Sequence, residues 1–199
     1  LWTFGDEAFD GGTIRARFEA AKSLRREIVP PGTTGYRTVH AEGDFAPGVV
    51  ADRYGRVDVL QLAAGGASDL RDEIAAAYRE AFAPAELAVR AEGIAGSGPA
   101  EAPFEEYGLR FVADLASGQK TGFFLDQREN RNRIRRHSSG RTVLNLFSYS
   151  GGFSVAALAG GAARAVDVDS SEGALSLARR HRGENGLAGG DEDFVRADV

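Results

Sequence analysis

Apolar residues in the first half of the chain recur first with helical spacing and then with the spacing of strands. Steps of three and four residues connect one apolar set, Ile14, Phe18, Ala21, Leu24 and Ile28. This pattern predicts an amphipathic helix with Thr13 as its N-cap, ended by Pro30-Pro31. From Tyr36 to Leu62 the sequence becomes β-rich, and the strongest strand signals are Val49-Val50 and the segment 57–62.

A second helix and two more strands complete the pattern of the first half. The helix is predicted over Asp69–Phe82, because apolar residues recur on one face and Ser68 offers a cap. Strands are predicted over Glu86–Ala91 and Leu109–Leu115, on either side of a glycine- and proline-rich loop near 96–103. Together these elements indicate an α+β module.

Strands and helices alternate in the second half of the chain. The predicted elements, in order, are helix Asp126–His137, strand Thr142–Phe147, helix Gly152–Ala159, strand Ala165–Val168, helix Glu172–Asn185 and strand Asp193–Ala197. Such alternation implies parallel strands joined by crossover helices. We therefore predict an α/β protein in which a central α+β domain precedes a truncated Rossmann-like domain.

The expected domain limits follow from this change of pattern. Residues 1–12 are expected to be the remnant of an upstream domain, 13–116 the central α+β domain, and 117–199 the N-terminal part of the Rossmann-like domain. A doubly wound sheet normally has five or six strands, whereas three are predicted here. Because the sequence also starts at Leu1 and contains no methionine, we expect an excerpt of a longer protein.

Composition excludes several kinds of site. The chain contains no cysteine, which excludes disulfides, thiolate metal sites and a cysteine nucleophile within these residues. The three histidines, at 40, 137 and 181, are scattered without ligand spacing, so we expect no metal site. No run approaches the roughly 20 apolar residues of a membrane span, and the N-terminus lacks the regions of a signal peptide. We expect a cytoplasmic protein without a membrane partner.

The net charge of −5 gives no overall basic field for a nucleic acid. A local basic patch would be enough, however. The predicted helix that begins at Asp126 carries five arginines, at 128, 131, 133, 135 and 136. Arg128, Arg131 and Arg135 share one face by their spacing, which could hold RNA phosphates or a cofactor carboxylate. A merely solvated helix face is the alternative.

A glycine pair follows the first strand of the second half. Gly151 and Gly152 allow a tight strand-to-helix turn that approaches a ligand closely, with exposed backbone N–H groups at the helix start. The dinucleotide fingerprint G-x-G-x-x-G is absent, since positions 148, 150 and 153 are Ser, Ser and Phe. An NAD-dependent dehydrogenase is thus the least favoured enzyme. A glycine-assisted turn without a ligand is the structural alternative.

Two acidic residues end the next two predicted strands. Asp169 follows Gly151 by 18 residues, where an acid can accept hydrogen bonds from both ribose hydroxyls. Its alternative role is a helix cap, with Glu172 three positions on; we favour the ribose role. Asp167 is expected to face the other side of the sheet. Asp198 repeats the strand-end position and could receive an adenine amino group, or be an ordinary turn residue.

Two segments together resemble a known family. GQKTGFFLDQR at 118–128 and VLNLFSYSGGFS at 143–154 resemble the class I S-adenosylmethionine-dependent methyltransferases that act on large-subunit ribosomal RNA. The similarity is greatest to the cytosine-5 branch that carries an N-terminal PUA domain. Tyr36-Arg37, Gly43-Asp44, PGVVADRYG at 47–55 and VRAEGI at 89–94 extend the resemblance over nearly the whole chain from residue 13.

The resemblance implies a PUA domain upstream, a central domain and a catalytic Rossmann-like domain. It implies that Phe147–Gly151 wraps the methionine part of S-adenosylmethionine, with Asp169 at the ribose and Asp198 beside the adenine. The full set of expected cofactor-binding residues is Gln127, Arg128, Asn145, Phe147, Tyr149, Gly151, Asp169, Ser170 and Asp198. Arg131 and Arg135 are the expected RNA contacts, and ribosomal RNA is the expected partner; the oligomeric state, a homodimer included, is left open.

The family pattern continues beyond these residues with an Asp-Pro-Pro loop and a cysteine-bearing motif. Methylation at cytosine C5 requires a thiolate to add at C6, and this chain has no cysteine. We therefore expect the 199 residues alone to be inactive, with no catalytic residue among them. Two alternatives stay open: a methyltransferase of the same fold for another base or substrate, and a non-catalytic RNA-binding or regulatory fragment.

Overall fold

The computed structural model describes residues 11–63, 66–91, 98–187 and 189–198, and the chain divides into two compact units. The first unit runs to Phe104 and includes Ala113–Leu125. The second unit contains Glu105–Val112 and continues from Asp126. The domain limits expected from the sequence stay a prediction, and residues 1–10 of the expected remnant lie outside the described residues.

The first unit is built on a four-stranded sheet. Its elements are α1 (Gly11–Ile28), β1 (Gly35–His40), β2 (Val49–Tyr54), β3 (Val57–Leu62), α2 (Gly66–Asp69), α3 (Arg71–Phe82) and β4 (Glu86–Arg90). The strand order is β1-β2-β3-β4, antiparallel in the first two pairs and parallel between β3 and β4. One face is covered by α1 and α3, where Phe18, Tyr78 and Leu60 are completely buried.

The other face of this sheet is covered by chain that follows β4. Strands β5 (Glu101–Glu106) and β6 (Leu109–Asp114) form a two-stranded sheet. The ring of Tyr54 packs edge-on against Phe104, which packs in the same way against Phe123. The Tyr54 hydroxyl lies 2.7 Å from that of Thr121. The segment 113–125 therefore crosses this face through specific aromatic and polar contacts.

The second unit contains a parallel three-stranded sheet. Its elements are α4 (Arg128–His137), β7 (Thr142–Leu146), α5 (Gly152–Ala159), β8 (Arg164–Asp169), α6 (Glu172–Glu184) and β9 (Phe194–Arg196). The order is β7-β8-β9 with parallel pairing throughout, which confirms the predicted alternation. One face is exposed at Leu144, Leu146 and Val195, with relative exposures of 62%, 43% and 41%.

Three details of the predicted elements were wrong. Helix α1 begins at Gly11, so Thr13 lies inside it. Ser68 belongs to α2, and α3 has Leu70 at its N-cap without a side-chain hydrogen bond. The predicted loop near 96–103 includes the start of β5, in which Ala102, Phe104 and Glu106 are buried. Pro103 obscured that period of two, but proline is tolerated in an edge strand.

Within the described part of the chain, no helix is long and apolar enough to cross a membrane.

Candidate functional site

The turn after β7 holds an unusual run of left-handed backbone. Phe147, Tyr149 and Gly151 have φ values of 52°, 48° and 71°. Large side chains rarely adopt this region, and such residues cluster where a binding site requires a particular backbone path. Phe147 is also 72% exposed. The turn therefore presents an aromatic side chain and strained backbone at the carboxyl edge of the parallel sheet, where α/β proteins bind their ligands.

Two features favour glycine at position 151: its left-handed backbone and the close packing of α6 against it. A Cβ built on Gly151 would lie 2.7 Å from the Cβ of Ala178 on α6. Helix α5 starts at the next residue, and the carbonyl of Gly151 accepts the N–H of Val155 at 2.9 Å. Helix α6 therefore packs so closely against this turn that only glycine fits at position 151.

The Asp169 carboxylate binds backbone N–H groups of both the turn after β7 and the turn after β8. Its Oδ2 accepts the backbone N–H of Tyr149 at 2.8 Å, and its Oδ1 accepts that of Ser171 at 2.9 Å. The N-cap of α6 is Ser171, whose Oγ accepts the N–H of Ala174 at 3.3 Å. The capping alternative for Asp169 is therefore wrong, and its ribose contact stays a prediction. The carboxylate is half-buried and retains lone pairs on both oxygens.

Asp167 faces helices α5 and α6 and is completely buried. Residues two apart in a strand lie on the same face, so the expectation that Asp167 faces the other side from Asp169 was wrong. Asn145 donates through Nδ2 to its Oδ1 at 2.8 Å, and Arg182 donates to its Oδ2 at 2.7 Å. The Ser154 hydroxyl also donates to Oδ1, at 2.5 Å. This network joins β7, β8, α5 and α6 below the turn. Through this network the Asn145 amide holds the end of β7 against β8. The expected contact of Asn145 with the cofactor stays a prediction.

His181 of α6 supports the turn from within the unit. Its Nδ1–H donates to the carbonyl of Ser150 at 2.8 Å, and its Nε2 accepts the N–H of Val112 at 2.9 Å. Burial lowers the pKa of this imidazole below its ordinary value of 6.5. This residue was not predicted from the sequence as part of the site. The available signal was its place on the apolar stripe of α6, after Leu175 and Ala178.

The arginines of α4 differ in their surroundings. Arg131 is 2% exposed and donates through two nitrogens to the Glu106 carboxylate, at 2.7 Å and 2.5 Å. A guanidinium occupied and buried in this way cannot also reach an RNA phosphate, so the expected RNA contact of Arg131 is wrong for this structure. Arg135 is half-buried and donates to the carbonyl of Tyr107 at 3.2 Å; its RNA contact stays a prediction.

The other expected cofactor residues lie at the start of α4 and at the strand ends. Gln127 accepts a hydrogen bond from Asn130 at 2.9 Å, and Arg128 donates to Glu129 at 3.0 Å. The carbonyl of Ser170 accepts the Arg196 guanidinium at 3.2 Å. Asp198 is exposed two residues beyond β9. The cofactor contacts of all four expected residues (Gln127, Arg128, Ser170 and Asp198) stay predictions.

Acidic and histidine side chains do not gather into a metal-binding group anywhere in the described ranges. The polar groups at the sheet edge are instead backbone amides, the Asp169 carboxylate and exposed aromatic surface. Such a set suits an organic ligand with hydroxyl groups.

Comparisons with known proteins agree with this geometry. Residues 87–198 match the model of a family described as S-adenosylmethionine-dependent methyltransferases. The chain is 38% identical over 216 residues to ribosomal RNA large subunit methyltransferase I of Klebsiella pneumoniae subsp. pneumoniae, covering 100% of this chain and 54% of that protein. It therefore spans about half the length of such curated relatives.

Solved structures show the same similarity. A methyltransferase crystallised in complex with SAH superposes with a TM-score of 0.89 and 30% identity, over 98% of this chain and 54% of its own. A SAM-dependent methyltransferase from Streptococcus mutans gives a TM-score of 0.89 and 29% identity, over 100% of this chain and 55% of its own. The mixed α/β fold with a Rossmann-like second unit is thus the fold of these methyltransferases.

Proposed function

Because the chain belongs to the S-adenosylmethionine-dependent methyltransferase family, we propose that it carries the cofactor-binding part of an enzyme that methylates large-subunit ribosomal RNA. The matched family and the name of the 38% identical relative support this substrate class. A ribosomal RNA substrate implies a cytoplasmic enzyme. Within this class, the two motifs at 118–128 and 143–154 favour the PUA-containing branch, with C5 of a cytosine as the methyl acceptor.

The turn at Phe147–Gly151 is the observation that carries the proposal. Three left-handed residues bring backbone to the sheet edge, and the absence of a Cβ at Gly151 lets α6 pack against it. The Asp169 carboxylate lies against this turn through the Tyr149 amide. A carboxylate and exposed aromatic surface fit a nucleoside with an amino-acid tail, so these residues are suited to S-adenosylmethionine.

Each residue has a defined part in this proposal. The Asp169 oxygens would accept the ribose hydroxyls, Phe147 and Tyr149 would enclose the methionine part, and Asp198 would lie beside the adenine. When bound, S-adenosylmethionine supplies a methyl group activated by a positively charged sulfur. The residues of this chain orient that group and shield it from water.

Transfer to C5 of cytosine needs a second group that makes this carbon nucleophilic. A cysteine thiolate that adds at C6 meets this need; after methyl transfer a base removes the C5 proton, and the thiolate leaves C6 as the C5–C6 double bond forms again. This chain has no cysteine, and it spans 54% of the 38% identical relative. We therefore propose that the 199 residues bind the methyl donor but do not methylate RNA by themselves.

Titration calorimetry with S-adenosylhomocysteine tests the site. We expect the chain to bind this product, and Asp169→Ala to weaken binding by about 1–3 kcal/mol, because two ribose hydrogen bonds are lost. Asp191→Ala, at an exposed position before β9, is the matched control and should bind as the wild type does. Absence of binding, or an Asp169→Ala affinity equal to that of the wild type, would contradict the proposed site.

A further inference from the structure

The first unit contains a groove on the sheet face that lies opposite α1 and α3. Its volume is about 290 Å³, and it is lined by Arg37, Gly48, Val50, Gln61, Ala63, Lys120 and Thr121. Cross-strand partners Val50 and Gln61 contribute from β2 and β3, and Arg37 contributes from β1. Lys120 and Thr121 belong to the segment that crosses this face. The groove is therefore made by elements of a single compact unit.

A buried carboxylate fixes the arginine of this groove. Arg37 donates to the two oxygens of Asp52 at 2.9 Å and 3.0 Å, and the Asp52 side chain is 1% exposed. The Thr121 hydroxyl donates to the same carboxylate at 2.6 Å. The Arg37 side chain, in contrast, is 30% exposed. The negative charge is thus enclosed, whereas the positive charge reaches the groove surface in a fixed position.

Lys120 brings a second positive charge to the groove. It is exposed, and its backbone is left-handed with φ of 56°. Its ammonium lies 4.5 Å from the centre of the Phe124 ring. A lysine held in this region costs conformational energy that glycine would avoid, and such strain is found where function requires a side chain. The charged side chains that line the groove are therefore both basic.

We propose that this groove binds one nucleotide of the RNA substrate. The inference rests on the proposed function, which supplies RNA as the ligand class. Guanidinium and ammonium groups would hold the phosphate, while Val50 and Ala63 provide apolar surface for the ribose or base. The Gln61 amide can both donate and accept hydrogen bonds with a base edge. A cavity of about 290 Å³ is close to the lower end of small-ligand pockets, as a single nucleotide requires.

Charge changes at Gln61 test the groove without removing a structural contact of the fold. Gln61→Glu and Gln61→Lys have similar shapes and exposed positions, yet opposite charges. We expect the dissociation constant for a labelled single-stranded RNA oligonucleotide to rise several-fold in Gln61→Glu and to fall in Gln61→Lys. Fluorescence anisotropy of the 199-residue chain, titrated at several salt concentrations, measures both.

Lys120 supplies the second arm of the experiment. Lys120→Gln should reduce the slope of log affinity against log salt by about 0.7, the contribution of one single-strand phosphate contact. Lys120→Gly should weaken RNA binding equally while relieving the backbone strain, so a loss of binding could not be due to unfolding. Arg26→Gln removes an exposed charge from α1, on the other side of the sheet, and should leave the slope unchanged.

The outcomes separate this inference from the proposed function. Wild-type RNA affinity in both Gln61 variants and in Lys120→Gln would overturn the groove, as would no RNA binding up to about 10⁻⁴ M, the weak end of non-specific affinity. Calorimetry with S-adenosylhomocysteine on the same variants should match the wild type. If the chain binds S-adenosylhomocysteine but the groove variants bind RNA as the wild type does, the proposed cofactor site is retained and only the groove proposal is refuted.

Discussion

The carboxylate of Asp169 and the backbone amide of Tyr149 form a 2.8 Å hydrogen bond that joins the end of β8 to the turn after β7. Tyr149 has a left-handed backbone with φ of 48°. The same carboxylate that we propose for the ribose therefore also maintains the shape of the turn. A hydrogen bond from a backbone N–H to a charged acceptor is stronger than one between neutral groups.

Asp169→Asn should therefore weaken S-adenosylhomocysteine binding about as much as Asp169→Ala does. An asparagine has one acceptor oxygen in place of two, so its amide nitrogen would face the N–H of either Tyr149 or Ser171. We expect a loss of about 1–3 kcal/mol by calorimetry and faster hydrogen exchange at the Tyr149 amide. Asp198→Asn, at an exposed strand end, should not change that exchange rate. Slow Tyr149 exchange in Asp169→Asn would show that the turn does not depend on the carboxylate.

Gly151→Ala should destabilise the second unit and weaken cofactor binding. The left-handed backbone costs a non-glycine residue about 1–2 kcal/mol. The new methyl would also stand 2.7 Å from the Cβ of Ala178, and overpacking adds about 1–3 kcal/mol. Chemical denaturation followed by circular dichroism measures the loss.

The double variant Gly151→Ala with Ala178→Gly distinguishes these two costs. It removes the methyl–methyl contact but keeps the strained backbone and adds a helix-interior glycine, which costs about 1 kcal/mol. If it is no more stable than the sum of the two single changes predicts, the steric term is absent. A double variant that is more stable than this sum would show a steric clash between residues 151 and 178.

The buried pair Glu106 and Arg131 should matter for stability. Removing one partner leaves the other charge buried without its counter-ion, at a cost of about 3–5 kcal/mol. We expect this loss in Arg131→Leu and a much smaller one in the double variant Glu106→Leu with Arg131→Leu. Arg133→Gln, on the exposed side of α4, is the control for a lost arginine. Equal stability of the single and double variants would argue against a coupled pair.

Of the two arginines of α4 that were expected to contact RNA, only Arg135 remains to be tested. Because it lies half-buried beside the Tyr107 carbonyl rather than in an ion pair with Glu106, its replacement by glutamine should leave the fold intact. If it contacts phosphate, the salt slope of RNA binding should fall by about 0.7. An unchanged slope would show that Arg135 does not contact phosphate.

Local sequence patterns predicted most of the second unit, because its strands and helices follow their expected periods closely. Helix α5 has the predicted limits. Arg131 could not be assigned in this way. Its burial depends on Glu106, which is 25 residues away in the sequence and is brought near by the tertiary fold. A helical face rich in arginine has the same sequence pattern whether an acid covers it or water does.

The groove of the first unit was inaccessible to sequence reasoning for a related reason. Arg37, Gln61 and Lys120 lie far apart in the sequence and meet only after the strands pair and the segment 113–125 crosses them. Strand β5 was missed because proline and glycine weaken a strand signal, although its alternation was present. Long-range pairing, rather than local propensity, determines each of these features.

His181 should make the second unit less stable as the pH falls below about 6.5. Its pKa is lowered in the folded protein by burial, so the unfolded chain binds the proton more readily. The stabilisation is therefore complete above the unfolded value and is lost as the pH falls from about 6.5 towards the folded pKa, by up to about 1.4 kcal/mol per pH unit. Protonation would remove the Nε2 lone pair that accepts the N–H of Val112, 2.9 Å away.

Hydrogen exchange of the Val112 amide gives a local measure of this effect. Between pH 7 and about pH 5.5 we expect its protection, corrected for intrinsic exchange, to fall in the wild type, because imidazole protonation removes the acceptor. His181→Gln should lower protection at pH 7 and abolish its pH dependence over this range. His40→Gln, at an exposed position on β1, controls for the loss of an imidazole. Val112 protection that falls equally in His181→Gln and in the wild type would assign the pH effect to another group.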